Sequence, residues 1–388
     1  MVDFKEKKII YITHYADLYG ANRSLINLVE GLVNIGVKNI LVILPAEGKI
    51  CELLKKIGIE YRLIPFVNET YYAGEKPLLI KKIAKFFYNW YIVFRYSGSL
   101  KKEGKPIIHS NSSATLIGAY FSMWLSAPHV WHIREFGSDD YNLNYNFGYD
   151  FFNKWLNKAQ AVIAVSKAVY EKRVKYCTAP KKKVIYNAAL FSNQLSHEKQ
   201  GNSNSKDRED GKIIFGIIGL INEEKNQEEA IDAFKLFCHK NKNGKLLIAG
   251  NGTSEYIITL QEKVGQYALD DKIKFTGFIE NTNEFYNKID CLLICSKHEA
   301  FGRVTIEAMG TGIPVIGYNN AGTSEIIKHG YNGLFYINGA IDLSEHMLMF
   351  AANKELRKIM GQNAEKTVLQ NFTIEVYTKA VYNIYQSL

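Results

Sequence analysis

The sequence predicts an α/β protein built from two doubly wound domains, each a parallel sheet covered by helices. Three observations carry this. At 388 residues the chain exceeds the size at which one core stops growing, so two domains of ordinary size are expected. Short β-branched runs alternate with helix-period segments along nearly its whole length, the signature of βαβ units and parallel strands. One polar stretch without aromatics, "NQLSHEKQGNSNSKDREDG" at 193–211, interrupts that alternation and reads as a linker or mobile loop between two such series.

The first series, residues 1–192, contains the strand candidates "KKIIYIT", "ILVIL", "IEYRLI", "PIIHS", "HVWHI", "AVIAV" and "KVIY". After the first of them, "THYADLYGANRSLINLVEGL" turns into an amphipathic helix at Gly20. A glycine there lets backbone approach a ligand closely, and a helix start offers N–H groups to a phosphate or sugar oxygen. The full G-x-G-x-x-G is absent, so a plain tight turn accounts for the same residues. Further on, residues 110–133 carry no formal charge, which approaches the length of a membrane span. Asn111, a group of serines, Pro128, His129 and His132 break that run, and the pattern predicts a buried helix at about 115–125 followed by a strand.

Residues 76–105 combine eight Lys or Arg with Phe86, Phe87, Trp90, Tyr91 and Phe94, and hold much of the chain's net charge of +9. Basic residues interleaved with aromatics suit a helix lying on an anionic membrane surface. A domain helix with an apolar core face and a solvated basic face fits equally well. No helix-turn-helix, zinc or aromatic RNA-binding motif accompanies the charge, so nucleic acid is not expected as a partner.

The second series, residues 212–371, contains "KIIFGIIG", "KLLIAG", "KIKFTG", "DCLLIC" and "IPVIG", and a last helix lies within 372–388. In open α/β sheets ligands bind beyond the carboxyl ends of the strands, and two such domains facing each other would form a cleft. The chemistry is therefore sought in post-strand loops. "IIGLINEEKNQEEAIDAF" places Lys225 just before a helix, where its charge suits a pyrophosphate, although a solvated lysine beside Glu223 and Glu224 is the plainer reading. "IAGNGTSEY" sets Gly250 and Gly252 around Asn251 at another strand end, making room for a flat ring or for backbone. "SKHEAFGRVTIEAMGTGIPVI" carries Glu299 and Glu307 on either side of a turn at Gly302. Glu299 precedes the helix and Glu307 lies on it, while the helix start at Arg303 and Val304 suits an anion. The arrangement matches a nucleoside diphosphate sugar: hexose at Glu299, phosphates at the helix start, ribose at Glu307.

Composition agrees with a folded protein, at 47% hydrophobic and 22% charged residues. The five cysteines include no C-x-x-C pair, and Cys291 and Cys295 are expected to be buried on one face of a strand. With an N-terminus lacking the features of a secretory signal, a reducing cytoplasmic setting is expected, peripheral at the inner membrane face if the basic helix docks there.

The run "HEAFGRVTIEAMGTGIPVIGYNNAGTSEII", preceded by "FTGFIENTNEFYNKIDCLLICS", resembles the E-x7-E region of glycosyltransferase family 4, retaining enzymes of the GT-B fold. Glu299, Phe301, Gly302, Glu307, Ala308, Gly312, Pro314, Gly322 and Glu325 fall in register with that pattern. "AVIAVSKAVYEKRV" with Ser166 and "KVIYNAAL" with Asn187 are similar to the end of the family's first domain. The resemblance implies two Rossmann-like domains with a cleft between them. It implies Glu299 on donor-sugar hydroxyls, Glu307 on the ribose, Lys225 on the diphosphate and His132 lining the sugar pocket. It also implies a last helix crossing back to the first domain, transfer from a nucleotide sugar to a glycan or lipid-linked acceptor, and no metal or other cofactor. The absence of any D-x-D agrees with the last point. Where the family carries G-R-L-x-x-x-K this chain has "GLINEEK", with Leu220 at the arginine position, and Arg303 or Arg23 would have to supply that charge. A nucleotide-sugar epimerase on the same fold and a non-catalytic partner of an active glycosyltransferase are the alternative readings.

Overall fold

The structure, a computed structural model, describes residues 4–72, 74–75, 77–102, 104–193 and 212–388. Apart from Asn193, the stretch read as a linker lies outside the described residues. The chain divides into two compact units, one formed by Met1–Ala188 with Ile374–Leu388 and the other by Ala189–Thr373.

In the first unit, β1 (Ile9–Ile12), β2 (Ile40–Leu44), β3 (Glu60–Leu63), β4 (Thr70–Tyr72), β5 (Ile107–Ser110), β6 (His129–Ile133), β7 (Leu143–Tyr145), β8 (Ala161–Ala164) and β9 (Lys181–Val184) follow in chain order. Seven of them form a parallel sheet in the order β3-β2-β1-β5-β6-β8-β9. Every residue of β1, β2, β5, β6 and β8 is buried, as the central strands of a parallel sheet between two helix layers are. The strand order reverses between β1 and β5, which opens a crevice at their carboxyl ends.

Helix Ile374–Gln386 belongs to this unit, placing Tyr385 Oη 2.7 Å from Tyr11 Oη and 2.6 Å from His109 Nδ1. The uncharged run at 110–133 forms helix Ile117–Leu125 followed by β6. Among the described residues no helix is long and apolar enough to cross a membrane. Two details differ from the sequence reading. β4 and β7 pair antiparallel as a separate small sheet, and with three residues each they are too short to show alternation. The strand expected at "KVIY" instead occupies Lys181–Val184 at the sheet edge, where three lysines discourage pairing with another chain.

The second unit contains β10 (Ile213–Ile218), β11 (Gly244–Ala249), β12 (Ile273–Gly277), β13 (Cys291–Ile294), β14 (Val315–Tyr318) and β15 (Gly333–Tyr336). They form one parallel sheet, β12-β11-β10-β13-β14-β15, in which β15 is a strand the sequence reading missed. Cys291, Leu293 and Cys295 alternate onto one face and join Phe215, Phe234 and Phe237 in the core, so burial accounts for both cysteines. The order reverses between β10 and β13. Any ligand following the general rule for such sheets meets the loops after these two strands.

Candidate active site

The loop after β10 is shaped by asparagines. Asn222 accepts the Lys225 backbone N–H at 3.1 Å and closes the short turn Glu223–Lys225. Asn226 then takes a left-handed conformation, φ 54°, that few other side chains tolerate, and helix Gln227–Lys240 begins. Ser296 Oγ donates to the Glu224 carbonyl at 3.0 Å, tying this turn to the end of β13. The result places Lys225 Nζ 2.5 Å from Glu299 Oε2, with side chains 28% and 15% exposed.

Glu299 is held by its own loop. The Gly322 N–H donates to the Glu299 carbonyl at 2.8 Å. A Cβ at Gly322 would stand 2.6 Å from Phe301 Cα and 2.8 Å from the carbonyl oxygens of Ala300 and Glu299, so only glycine admits this approach. Phe301 is buried, its ring centroid 5.9 Å from that of Phe372. Gly302, at φ 99°, turns the chain into helix Arg303–Gly310, where no side chain caps the first turn. On the second turn Glu307 is buried between two partners: Arg303 Nη2 lies 2.5 Å from Oε1, and Tyr286 Oη donates to Oε2 at 3.1 Å.

Lys225, Gln227, Ser296, Glu299 and Val304 line, with the ends of β10 and β13, a small open depression. Its two charged groups, Lys225 and Glu299, form an ion pair, and a second pair, Arg303 with Glu307, lies on the adjoining helix Arg303–Gly310. Two cations and two carboxylates leave the site near neutrality. An incoming anion would exchange for a carboxylate at Lys225 rather than settle on a bare cation.

The other expected groups are placed as follows. Asn251 is exposed and its carbonyl accepts the Ile221 N–H at 2.8 Å. The room made by Gly250 and Gly252 is filled by backbone: their absent Cβ atoms would overlap the carbonyl oxygens of Gly219 and Ile221. Leu220, 44% exposed, sits on that same segment, its carbonyl accepting from Gln227 Nε2 at 2.8 Å. Of the two arginines considered for the missing charge, Arg303 is engaged with Glu307. Arg23 lies in the other unit, its Nε on the Leu18 carbonyl at 3.0 Å.

Gly20 and His132 belong to the first unit. Gly20 is the first residue of helix Gly20–Asn34, and the loop before it is folded by buried Asn22, whose Nδ2 donates to Tyr15 and Asp17 carbonyls at 3.0 and 2.7 Å. Asn111 Nδ2 reaches the Ala21 carbonyl at 3.1 Å, joining this helix start to the end of β5 across the crevice. His132 is fully buried near the end of β6, its Nε2 without a hydrogen-bond partner. Its neighbour Arg134, which the sequence reading passed over, organises the region. Nε donates to Asn111, Nη1 to Asn187 Oδ1 at 2.6 Å and Nη2 to Tyr377 Oη at 3.0 Å. Burial, reinforced by the Arg134 charge, holds His109 and His132 well below the usual imidazole range, so both are neutral. Ser166 caps a helix, its Oγ accepting from the Val169 N–H at 3.0 Å.

The model of Glycosyltransferase Family 4 matches residues 19–189 and that of the glycosyl transferases group 1 matches residues 198–367. A capsular polysaccharide biosynthesis glycosyltransferase of Staphylococcus aureus, CapM, is 24% identical over 74% of this chain and 78% of its own. A glycosyltransferase of Methanocaldococcus jannaschii is 30% identical over 58% of this chain and 59% of its own. The N-acetyl-α-D-glucosaminyl L-malate synthase of Bacillus anthracis is 28% identical over 46% of each chain. The match thus spans only about half the length of these last two relatives. Among solved structures, Anabaena HepE in complex with UDP and glucose superposes with a TM-score of 0.79 at 21% identity, covering 99% of this chain and 100% of that one.

Proposed function

Since this chain belongs to the group 1, family 4 glycosyltransferases, of GT-B fold, we propose that it moves a hexose-type sugar from a nucleotide-sugar donor to a hydroxyl acceptor with retained configuration. The observation that carries the reading is the pair of charge clusters at the β10/β13 reversal, Lys225 with Glu299 and Arg303 with Glu307. In this reading the donor diphosphate takes Lys225 from Glu299, and the freed Glu299 carboxylate accepts hydrogen bonds from hexose hydroxyls. Glu307, paired with Arg303 and oriented by Tyr286, accepts hydrogen bonds from the ribose hydroxyls.

The C1–O bond to the β-phosphate breaks and the acceptor oxygen bonds to C1 on the same face. The acceptor proton passes to the departing phosphate oxygen. Negative charge grows on that phosphate, where Lys225 and the start of helix Arg303–Gly310 stabilise it, and no metal is invoked. UDP is the favoured carrier, as in the HepE complexes, and a lipid-linked or polysaccharide intermediate of envelope glycan synthesis the favoured acceptor, as the name of CapM suggests for its own pathway. The setting is the cytoplasm, at the inner membrane face.

The test is a thermal-shift screen of nucleotide sugars followed by turnover assays on lipid-linked acceptors. A donor at a hundred times its dissociation constant stabilises the folded state by about 2.7 kcal/mol. UDP-sugars should raise the melting point and GDP-sugars should not. Isomerised donor without acceptor would indicate an epimerase. Nucleotide binding without turnover on any acceptor, with stimulation of a second enzyme, would favour the partner-subunit reading that Leu220 keeps open.

A further inference from the structure

Helix Leu79–Lys101 presents an apolar seam to solvent. Ile80, Ala84, Phe87, Tyr91 and Phe94 recur at spacings of four, three, four and three, which puts them on one face, and all five are exposed. Phe87 and Phe94 are 65% and 66% exposed. The opposite face is fixed: Asn89, Ile92, Val93, Ser97 and Leu100 are buried, and Trp90 stacks on Tyr120 at 4.8 Å.

A buried carboxylate locks this orientation. Glu69 accepts from Asn89 Nδ2 at 2.8 Å and from Tyr120 Oη at 2.7 Å, so the helix cannot roll to hide its seam. The seam continues onto the next helix, where the Phe94 ring lies 5.9 Å from that of Trp124, itself half exposed. From Ile80 to Phe94 the strip runs about 21 Å along the helix, and a contiguous exposed apolar strip of this kind marks an interaction surface.

Charge selects the occupant. From Leu79 to Lys101 there is no Asp or Glu, and exposed Arg95 and Lys81 and half-buried Lys85 lie along one margin of the seam. A second copy of the helix would set cations against cations. An anionic bilayer would meet them with phosphates and receive the aromatic rings at its headgroup boundary.

We propose that the face formed by Ile80, Phe87, Tyr91, Phe94 and Trp124 rests in the interface of an anionic membrane, with Lys81, Lys85 and Arg95 on lipid phosphates. This deepens the proposed function by naming the surface that meets the acceptor's membrane, but it is tested without turnover.

The experiment is flotation of the full chain with vesicles of phosphatidylcholine alone or with about 30 mol% of anionic phosphatidylglycerol added. Wild type should float with the anionic vesicles. Phe87→Ser with Phe94→Ser should abolish flotation, and Lys81→Gln, Lys85→Gln and Arg95→Gln together should weaken it about a hundredfold. The Phe double variant should keep the wild-type melting point, because both rings avoid the core, and both variants should keep the wild-type shift with nucleotide sugar. Wild type that ignores both vesicles, or a Phe double variant that floats unchanged, overturns the proposal. So does a wild-type dimer in sedimentation that the Phe double variant dissociates, since a second copy would then cover the seam. A membrane result of either sign leaves the nucleotide-sugar shift to judge the transfer reading separately.

Discussion

Gly322→Ala isolates the positioning of Glu299 from its charge. The new Cβ would stand 2.6 Å from Phe301 Cα, against about 3.4 Å for ordinary contact, so the 299–301 loop must move by about 0.8 Å. The obstructing atoms are backbone, which cannot swing aside as a side chain would. Overpacking of this kind costs about 1–3 kcal/mol of stability. The larger effect falls on the site, because the loop carries Glu299 and the hydrogen bond from the Gly322 N–H to its carbonyl. A displacement near 1 Å at a positioning group costs about a hundredfold in rate.

The control is Gly244→Ala, which overpacks the Phe237 ring at the opposite, amino-terminal end of the same sheet. Denaturant melts and kcat/KM with a nucleotide sugar and its acceptor should show both variants destabilised and only Gly322→Ala slowed. Equal turnover for the two, at equal loss of stability, would refute the claim that Gly322 sets the Glu299 loop.

Three further outcomes are expected. Lys225→Ala should lower the rate by about 10² to 10³, the usual effect of removing one preorganised charge partner, and near-normal turnover with the true donor and acceptor would sink its assignment. His14 and His129 are held at about 3 by burial, so the folded state resists protons that the unfolded chain accepts below about pH 6.5. Stability present at neutral pH should therefore fall by about 1.4 kcal/mol per pH unit for each of them as pH drops from 6.5 toward 3. A melting point that is flat between pH 7 and 5 would contradict this. Gly31→Val should press on Thr378 and Ile374, lower stability by about 1–3 kcal/mol and expose helix Ile374–Gln386 to limited proteolysis, with an unchanged digest as the opposing result.

Legibility in the sequence followed the range of the interactions. Long β-branched runs such as "ILVIL" and "KIIFGII" disclosed their strands because burial on both faces leaves an unbroken apolar signal. β4 and β7, at three residues each, carry too few positions for a period to emerge, and β15 opens on a glycine and holds no β-branched residue. In the site, Lys225, Glu299 and Glu307 were readable from their post-strand loops and the family pattern. Ser296, whose hydroxyl holds the turn of Lys225 from 72 residues away, was not, nor was Tyr286 on Glu307. Arg134 was passed over because its meaning depends on Tyr377, 243 residues further on. No local spacing reveals such a partner.

The return of helix Ile374–Gln386 to the first unit has a consequence for synthesis. A ribosome releases residues in order, and domains usually finish folding from the amino terminus onward. Here the second unit, Ala189–Thr373, has emerged before Tyr377 and Tyr385 reach Arg134 and His109. The first unit begins earlier and finishes later. Through that interval its central sheet carries a guanidinium and an imidazole still awaiting their phenols, so the first unit completes its polar core only after the whole second unit has been made.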